Sequence, residues 1–307
     1  DMYKIYWEDT KMEFSATAGT AGGSLKALFE VRDGDNLENF KGKVTKADSY
    51  SLTVENISID NIKSLNLPDK DGKITVNNIS YSYDSWEAQV DAQGNIKSVT
   101  FNLSKDKAIA DPEKTVAEGY LLNAGSAINA RGIPYYMTQL NEFVRNFSEM
   151  FNQIESKGQN LNGDTPPTFF EAITNTAKVY DFSESEAYSK LPDGQTATIN
   201  SSSNTYYRMT AANFSVNKDV MNDVSLFATS TDYVKTDSCD IVDELKKLQS
   251  EKTVYRGDKA ESFLETIISN VSVDTEKAET YNKLYSNLEQ TIANQRTSVS
   301  GVDEDEE

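Results

Sequence analysis

The sequence contains no histidine and a single cysteine, Cys239, among its 307 residues. Without histidine the chain lacks the commonest general base and zinc ligand, and it can form no Ser-His or Cys-His nucleophile arrangement. One cysteine excludes an internal disulfide framework and any multi-cysteine metal site. Paired carboxylates remain available for chemistry, but 49 acidic residues spread along the chain single out no pair. We therefore expect no enzyme activity, no cofactor and no metal site.

Positive charge and long hydrophobic runs are also scarce. The 30 Lys and Arg residues are outnumbered by 49 Asp and Glu, which gives a formal net charge of -19. Because nucleic-acid binding needs clustered Lys and Arg to release counterions, we expect no nucleic-acid partner. No apolar run approaches the ~20 residues that cross a bilayer, and no signal peptide opens the chain, so we expect no membrane partner. The chain starts without Met, inside a strand-like pattern, which predicts a fragment of a longer protein.

One stretch, from Tyr136 to Ile154, is the strongest helix signal in the sequence. Apolar residues recur there in alternating steps of four and three: Tyr136, Leu140, Phe143, Phe147, Met150 and Ile154. Pro134 suits the first turn of a helix, and Gly158 suits a left-handed cap at its end. A helix with so many apolar residues on one side needs a partner, because it is unstable alone.

A second helix is predicted from about Asp258 towards the end of the chain. The same four-three alternation recurs there, and the seam that it predicts also includes Leu284; the row is Ala260, Leu264, Ile267 and Val271, then Ala278, Tyr281, Tyr285, Leu288, Ile292 and Gln295. Asp274 falls on this row beside a β-branched run, so we expect a kink or a short interruption there. Two long rows of matched period predict antiparallel packing of the two helices as a rod, with these residues in the seam between them.

Between the flanking helices, residues of about 36 to 131 show short β-favouring runs separated by turn residues. The pattern predicts an α+β fold: an elongated antiparallel helical rod domain, residues 1–35 and 132–307, carrying an inserted antiparallel β domain, residues 36–131. A polar loop or hairpin is expected at about 174–207. Tyr81, Tyr83 and Trp86 are interpreted as filling one face of the small sheet, with an exposed aromatic surface for sugar or protein as the alternative.

Four stretches of the chain, in order, resemble the family of the first flagellar hook-associated protein. They are Gly22–Leu28 with Arg32-Asp33-Gly34; Gly132–Met137 continuing through Phe151-Asn152; Gly158–Gly163 with Phe169-Phe170; and Arg296–Glu307. Together they cover about half of the chain. The resemblance marks these signature residues: Arg32, Asp33, Ser298, Ser300, Gly301, Asp305, Glu306 and Glu307. The chain departs from the family pattern where residues of about 36 to 131 intervene before the helix.

The resemblance implies a non-enzymatic structural protein of the bacterial flagellum, at the junction between hook and filament. It also implies export by the flagellar type III route without a cleaved signal, and an extracellular location. The implied partners are further copies of the chain in a helical ring, the hook protein, the second hook-filament junction protein and an export chaperone. The resemblance also implies that the family's terminal helices, where such a chaperone binds, lie outside this sequence.

Two alternatives remain open from the sequence. Within the same class, the chain is a flagellin or the second hook-filament junction protein, whose rods end with similar helices. In a different class, it is an adhesin whose activity lies in the β insertion.

Overall fold

The computed structural model of the protein describes residues 5–11, 14, 22–35, 40–69, 72–105, 108–112, 116, 118–125, 128–235, 237–250, 253–255 and 258–300. Its strands are β1 (Lys41–Asp48), β2 (Ser51–Glu55), β3 (Gly72–Val76), β4 (Ile79–Val90), β5 (Ile96–Leu103), β6 (Leu121–Ala124), β7 (Phe170–Ala172), β8 (Ala197–Asn200), β9 (Phe214–Val216), β10 (Thr253–Tyr255) and β11 (Asp258–Lys259). Its α-helices are α1 (Gly23–Asp33), α2 (Ile133–Glu155), α3 (Ser183–Ser189), α4 (Lys218–Asn222), α5 (Asp240–Ser250) and α6 (Ala260–Ser300).

Strands β1 to β6 close into an antiparallel barrel. The order is β3-β6-β1-β2-β5-β4, and pairing of β3 with β4 completes the ring. Strand β4 is long enough to pair with two strands along one edge, because its first half pairs with β3 and its second half pairs with β8. The β3–β4 hairpin turns through Asn77 and Asn78, both at positive φ, which suits a tight two-residue connection. Closure leaves few strand edges exposed.

The barrel interior holds the largest core of the described chain. Its fully buried side chains include Trp86, Tyr83 and Phe101, and Tyr83 and Trp86 both donate hydrogen bonds to the carbonyl oxygen of Pro68 at 3.2 Å. Tyr81 is also buried. The three aromatic residues that the sequence singled out therefore fill the core, and none of them offers an exposed face.

Helix α2 contacts the barrel side through polar residues. The guanidinium of Arg145, a residue only 2% exposed, donates to the carbonyl oxygens of Met209 (2.9 Å), Lys63 (2.9 Å) and Leu65 (2.5 Å). It also lies over the ring of Tyr207, 4.5 Å from the centroid. One side chain thus ties α2 to the segment between β2 and β3 and to the segment after β8.

The apolar side of α2 is shared between two other helices. Phe143 and Phe147 pack against Ala260, Phe263 and Ile267 at the start of α6. Further along α2, Met150 and Ile154 pack against Ile241 and Leu248 of α5. Helix α2 is therefore covered on both sides, and the contacts of α6 with its apolar side reach only as far as Phe147.

The predicted fold class is wrong. The largest core of the described chain is a closed six-stranded barrel, and the two long helices do not form an antiparallel rod. A helix of 23 residues is about 35 Å long and one of 41 residues about 60 Å, so α2 cannot cover α6 along its length. The expected interruption near Asp274 is also absent, because α6 runs unbroken from Ala260 to Ser300.

The chain enters and leaves the barrel at neighbouring points. The amide of Gly132 donates to the carbonyl oxygen of Gly34 at 3.0 Å, and the backbones of Asp35 and Arg131 pair in an isolated antiparallel β-bridge. All six barrel strands lie within residues 36–131, while β8 comes from the expected polar loop, which also contains α3. The domain boundaries at 35/36 and 131/132 stay a prediction. Among the described helices, none is both long and apolar enough to span a membrane.

Replacing Arg145 with methionine should lower the free energy of unfolding by about 3 kcal/mol or more, because it leaves three buried carbonyl oxygens without their donor. Urea unfolding at neutral pH measures this change. The matched control is Arg296→Met on the exposed part of α6, which should shift stability by no more than about 0.5 kcal/mol. If both variants match wild type, the Arg145 contacts do not hold α2 to the barrel.

Candidate assembly surface

The first turns of the long helix α6 are packed against the rest of the protein, and its later turns are exposed. Ala260, Phe263 and Ile267 are buried against α2. From residue 275 to residue 299, every position of the helix is exposed. The burial pattern therefore divides α6 into an anchored first part and an uncovered remainder.

An apolar stripe runs along the uncovered part of α6. Tyr281, Leu284, Leu288 and Ile292 are 49–56% exposed, and their spacing of three and four residues places them on one side of the helix. Tyr285 extends the stripe, and its ring stacks beside that of Tyr281 with centroids 6.3 Å apart. No described residue of the protein covers this stripe. Contiguous exposed apolar surface of this kind is typical of a protein–protein contact.

Asp274 holds α6 at the point where the helix leaves the protein. Its carboxylate accepts hydrogen bonds from Tyr136 Oη at 2.7 Å and from Arg131 Nη1 at 3.2 Å. Burial opposes ionisation of Asp274, but these two donors outweigh it and hold the pKa of the carboxyl below its usual range. Burial, the hydrogen bond and the negative charge of Asp274 together raise the pKa of Tyr136 to about 12. Asp274, where the sequence predicted a kink or interruption of the helix, is thus the residue that attaches α6 to Arg131 and Tyr136.

The predicted seam residues fall into three groups. Leu140, Phe143 and Phe147 of α2 face the start of α6, where Ile267 is buried and Leu264 is half-buried. Met150 and Ile154 face α5 instead. The remaining four form the exposed stripe: Tyr281, Leu284, Leu288 and Ile292. The structure therefore brings together only the first part of the two predicted rows.

Two of the family-like stretches meet in the structure. Arg32 and Asp33, at the end of α1, form a bidentate pair with both N–O distances 2.6 Å. Gly132 packs against the end of α1. A Cβ on Gly132 would stand 2.4 Å from the carbonyl oxygen of Glu30 and 2.7 Å from the amide nitrogen of Gly34. Only glycine fits this backbone contact, which joins the end of α1 to the start of α2.

The remaining signature residues lie at the end of the chain. Ser298 is exposed on the last turns of α6, and Ser300 is the final residue of that helix. Gly301, Asp305, Glu306 and Glu307 lie outside the described residues.

Sequence reasoning missed the polar face of α2. Asn141, Arg145 and Asn152 are buried on it, and each has a hydrogen-bond partner in a distant segment. Their spacing of four and seven residues follows the helical period, which is the signal that marks them as one face. Charged and amide residues on such a face more often meet solvent, so spacing alone does not reveal their burial.

Neither a protein-family model nor a curated protein matches this chain.

Replacing Asp274 with asparagine should lower the pKa of Tyr136 below its wild-type value of about 12, because the negative charge that opposes tyrosinate formation is removed. NMR titration of ring-labelled tyrosine measures this pKa. Glu279→Gln, one turn along the exposed part of the helix, is the control and should leave it unchanged. An identical Tyr136 titration in wild type and Asp274→Asn would show that the contact does not form in solution.

The same substitution has a defined pH dependence. The pKa of Asp274 is lower in the folded protein than the ~3.9 of an unfolded aspartate, so its contribution to stability is present above that pH. The contribution is lost as the pH falls through the folded value. The difference in unfolding free energy between wild type and the variant, about 0.5–1 kcal/mol at pH 7, should therefore shrink below about pH 4.

Proposed function

We propose that the chain is a structural protein of the bacterial flagellum that forms the junction between hook and filament. The observation that carries this proposal is the uncovered apolar stripe of α6, which gives each copy a surface for side-by-side assembly. The family resemblance of the four stretches supplies the location. The proposal includes secretion through the flagellar export route and a role in flagellum assembly and motility.

The join between α1 and α2 supports the resemblance on physical grounds. Arg32-Asp33-Gly34 and Gly132-Ile133-Pro134 are about a hundred residues apart in the chain, yet they meet through a backbone hydrogen bond. Glycine at 34 and 132 is required by the close approach of the two backbones. The two motifs thus form one structural unit, and the barrel strands extend from it.

In the proposed assembly, copies of the chain pack side by side in a helical ring between hook protein and the second junction protein. Each contact along α6 is modest, but many contacts around a ring add up through avidity. The buried Arg145 contacts attach α2 to the segments beside the barrel, so each unit of the ring would carry its barrel in a defined position. A ring of such units is suited to buffering the mechanical mismatch between a flexible hook and a stiff filament.

The adhesin alternative receives no support from the barrel. Its most specific feature was the aromatic set Tyr81, Tyr83 and Trp86, and all three side chains are buried. Flagellin or the second junction protein remains the alternative within the same class, and location in the flagellum distinguishes them.

Immunogold electron microscopy of flagella from the source bacterium tests the proposed location. Antibody raised against the barrel, residues 41–124, should label a single band where hook meets filament. A strain deleted for the gene is the control for antibody specificity. Label along the whole filament would assign the chain to flagellin, and label away from the flagellum would refute the proposal.

Replacing Leu284, Leu288 and Ile292 together with glutamine tests the assembly surface. All three side chains are exposed, so the variant should fold with a melting temperature close to wild type, yet cells carrying it should lose swimming in soft agar. Asn287→Ala with Asn294→Ala, other exposed positions on the same helix, is the matched control and should swim normally. Normal swimming by the triple variant would show that the stripe is not an assembly contact.

A further inference from the structure

A cavity of about 720 Å³ lies beside the second half of α2, away from the assembly surface. Strand β7, helix α3, the start of α4 and the loop residues before α3 supply most of the remaining wall. The volume falls within the range of small-molecule sites. Its lining carries four carboxylates and one ammonium: Glu149, Glu171, Asp181, Asp219 and Lys218. The electrostatics of the cavity therefore favour a cation.

Glu171 is a buried carboxylate in this lining that lacks a hydrogen-bond partner among the described residues. It is 5% exposed, and among the described residues none donates a hydrogen bond or forms an ion pair to its side chain. Glu149 is buried to a similar degree but pairs with Lys63 Nζ at 2.7 Å. Burial raises the pKa of Glu171 and the nearby charge of Asp219 raises it further, while the charge of Lys218 lowers it in part. A carboxylate that is largely removed from solvent is stabilised by a neighbouring cation, so a cation bound in the cavity beside Glu171 would be favoured.

The rest of the wall is rigid and partly aromatic. The ring of Phe182 stacks on that of Tyr206 with centroids 4.3 Å apart. Asn152 Nδ2 donates to Tyr206 Oη and to the carbonyl oxygen of Phe170, both at 2.8 Å, while its Oδ1 accepts from the amide of Phe170. These bonds fix the aromatic pair and β7, the strand that carries Glu171. A preformed wall lowers the entropic cost of binding.

A cation already packs on an aromatic ring beside this cavity. The guanidinium of Arg208 lies over the ring of Tyr180, 4.6 Å from its centroid, and Tyr180 lines the cavity. Phe182 and Tyr206 line the same cavity as Glu171 and offer a similar apolar surface to the alkyl stem of a second cation.

We propose that this cavity binds an alkylguanidinium or alkylammonium group, with Glu171 as the carboxylate that receives the charge and the Phe182–Tyr206 pair as the wall for the alkyl stem. Such a group occurs both in free small amines and in the basic side chains of a polypeptide. The net charge of -19 raises the local concentration of either kind of cation.

NMR titration of the labelled protein with N-acetyl-arginine amide tests the proposal. Backbone signals of Asn152, Glu171 and Tyr206 should shift in a saturable way. The citrulline counterpart, which is neutral and nearly the same shape, should bind about 10-fold more weakly or worse, because a hydrogen-bonded charge is lost. Equal binding of the two probes, or no shift at the cavity residues with the arginine probe, would overturn the proposal.

Glu171→Gln keeps the shape of the side chain and removes its charge, and should weaken binding of the arginine probe about 10-fold. The matched control is Glu87→Gln, an exposed position on β4, which should leave the affinity unchanged. Unchanged affinity in Glu171→Gln would overturn the assignment. If that variant does not fold, Asp219→Asn on the exposed rim replaces it, and a loss of at least about 2-fold is expected there.

A short peptide with an internal arginine distinguishes the two sources of the cation. Tighter binding of the peptide than of the arginine amide indicates a polypeptide ligand, whereas exclusion of the peptide indicates a free small cation. Both results support the proposed chemistry. The titration is independent of flagellar location, so its failure leaves the junction proposal standing, and failure of the junction proposal leaves the cavity proposal standing.

Discussion

The buried guanidinium of Arg145 is the contact on which the arrangement of the protein depends. It donates to three carbonyl oxygens that belong to two separate segments, one between β2 and β3 and one after β8. A buried cation is costly unless its donors are satisfied, so these carbonyls and the ring of Tyr207 must all stay in place around it. The contact therefore fixes the position of α2 on the barrel and, through α2, the position of every helix that packs on its other side.

The partners and the limited length of α2 explain why α6 extends beyond it. One face is occupied by polar contacts to the barrel side, and the other is divided between α5 and the first turns of α6. Helix α2 begins at Ile133, so the later turns of α6 run past its start, and the contacts of Asp274 with Arg131 and Tyr136 mark the last point of attachment. The exposed stripe and the proposed assembly follow from this geometry. The cavity at Glu171 lies near the opposite end of α2, so the two proposed surfaces are separate.

Particular residues show how far sequence reasoning reached. The four-three spacing from Tyr136 to Ile154 predicted a helix, and α2 covers that stretch. The same spacing from Leu264 to Ile292 predicted a helix, and α6 covers it, but the partner assigned to its second part was wrong. The burial of Arg145 and Glu171 was not predicted, because a charged residue on a helix or a short strand normally meets solvent. The candidate cavity joins residues from Glu149 to Asp219, and no local pattern indicates that those segments meet.

The sequence by itself determined the elements and the chemistry that is ruled out: two amphipathic helices, a run of short β-strands, and the absence of any histidine-based or multi-cysteine site. These are properties of short segments, set by residue spacing and residue type. Only the tertiary structure decided that the strands close into a barrel, that α2 turns its polar face to the barrel side, and that the stripe from Tyr281 to Ile292 stays uncovered. Those outcomes depend on which of several possible partners buries more surface and satisfies more polar groups, a comparison between distant segments that no local pattern contains.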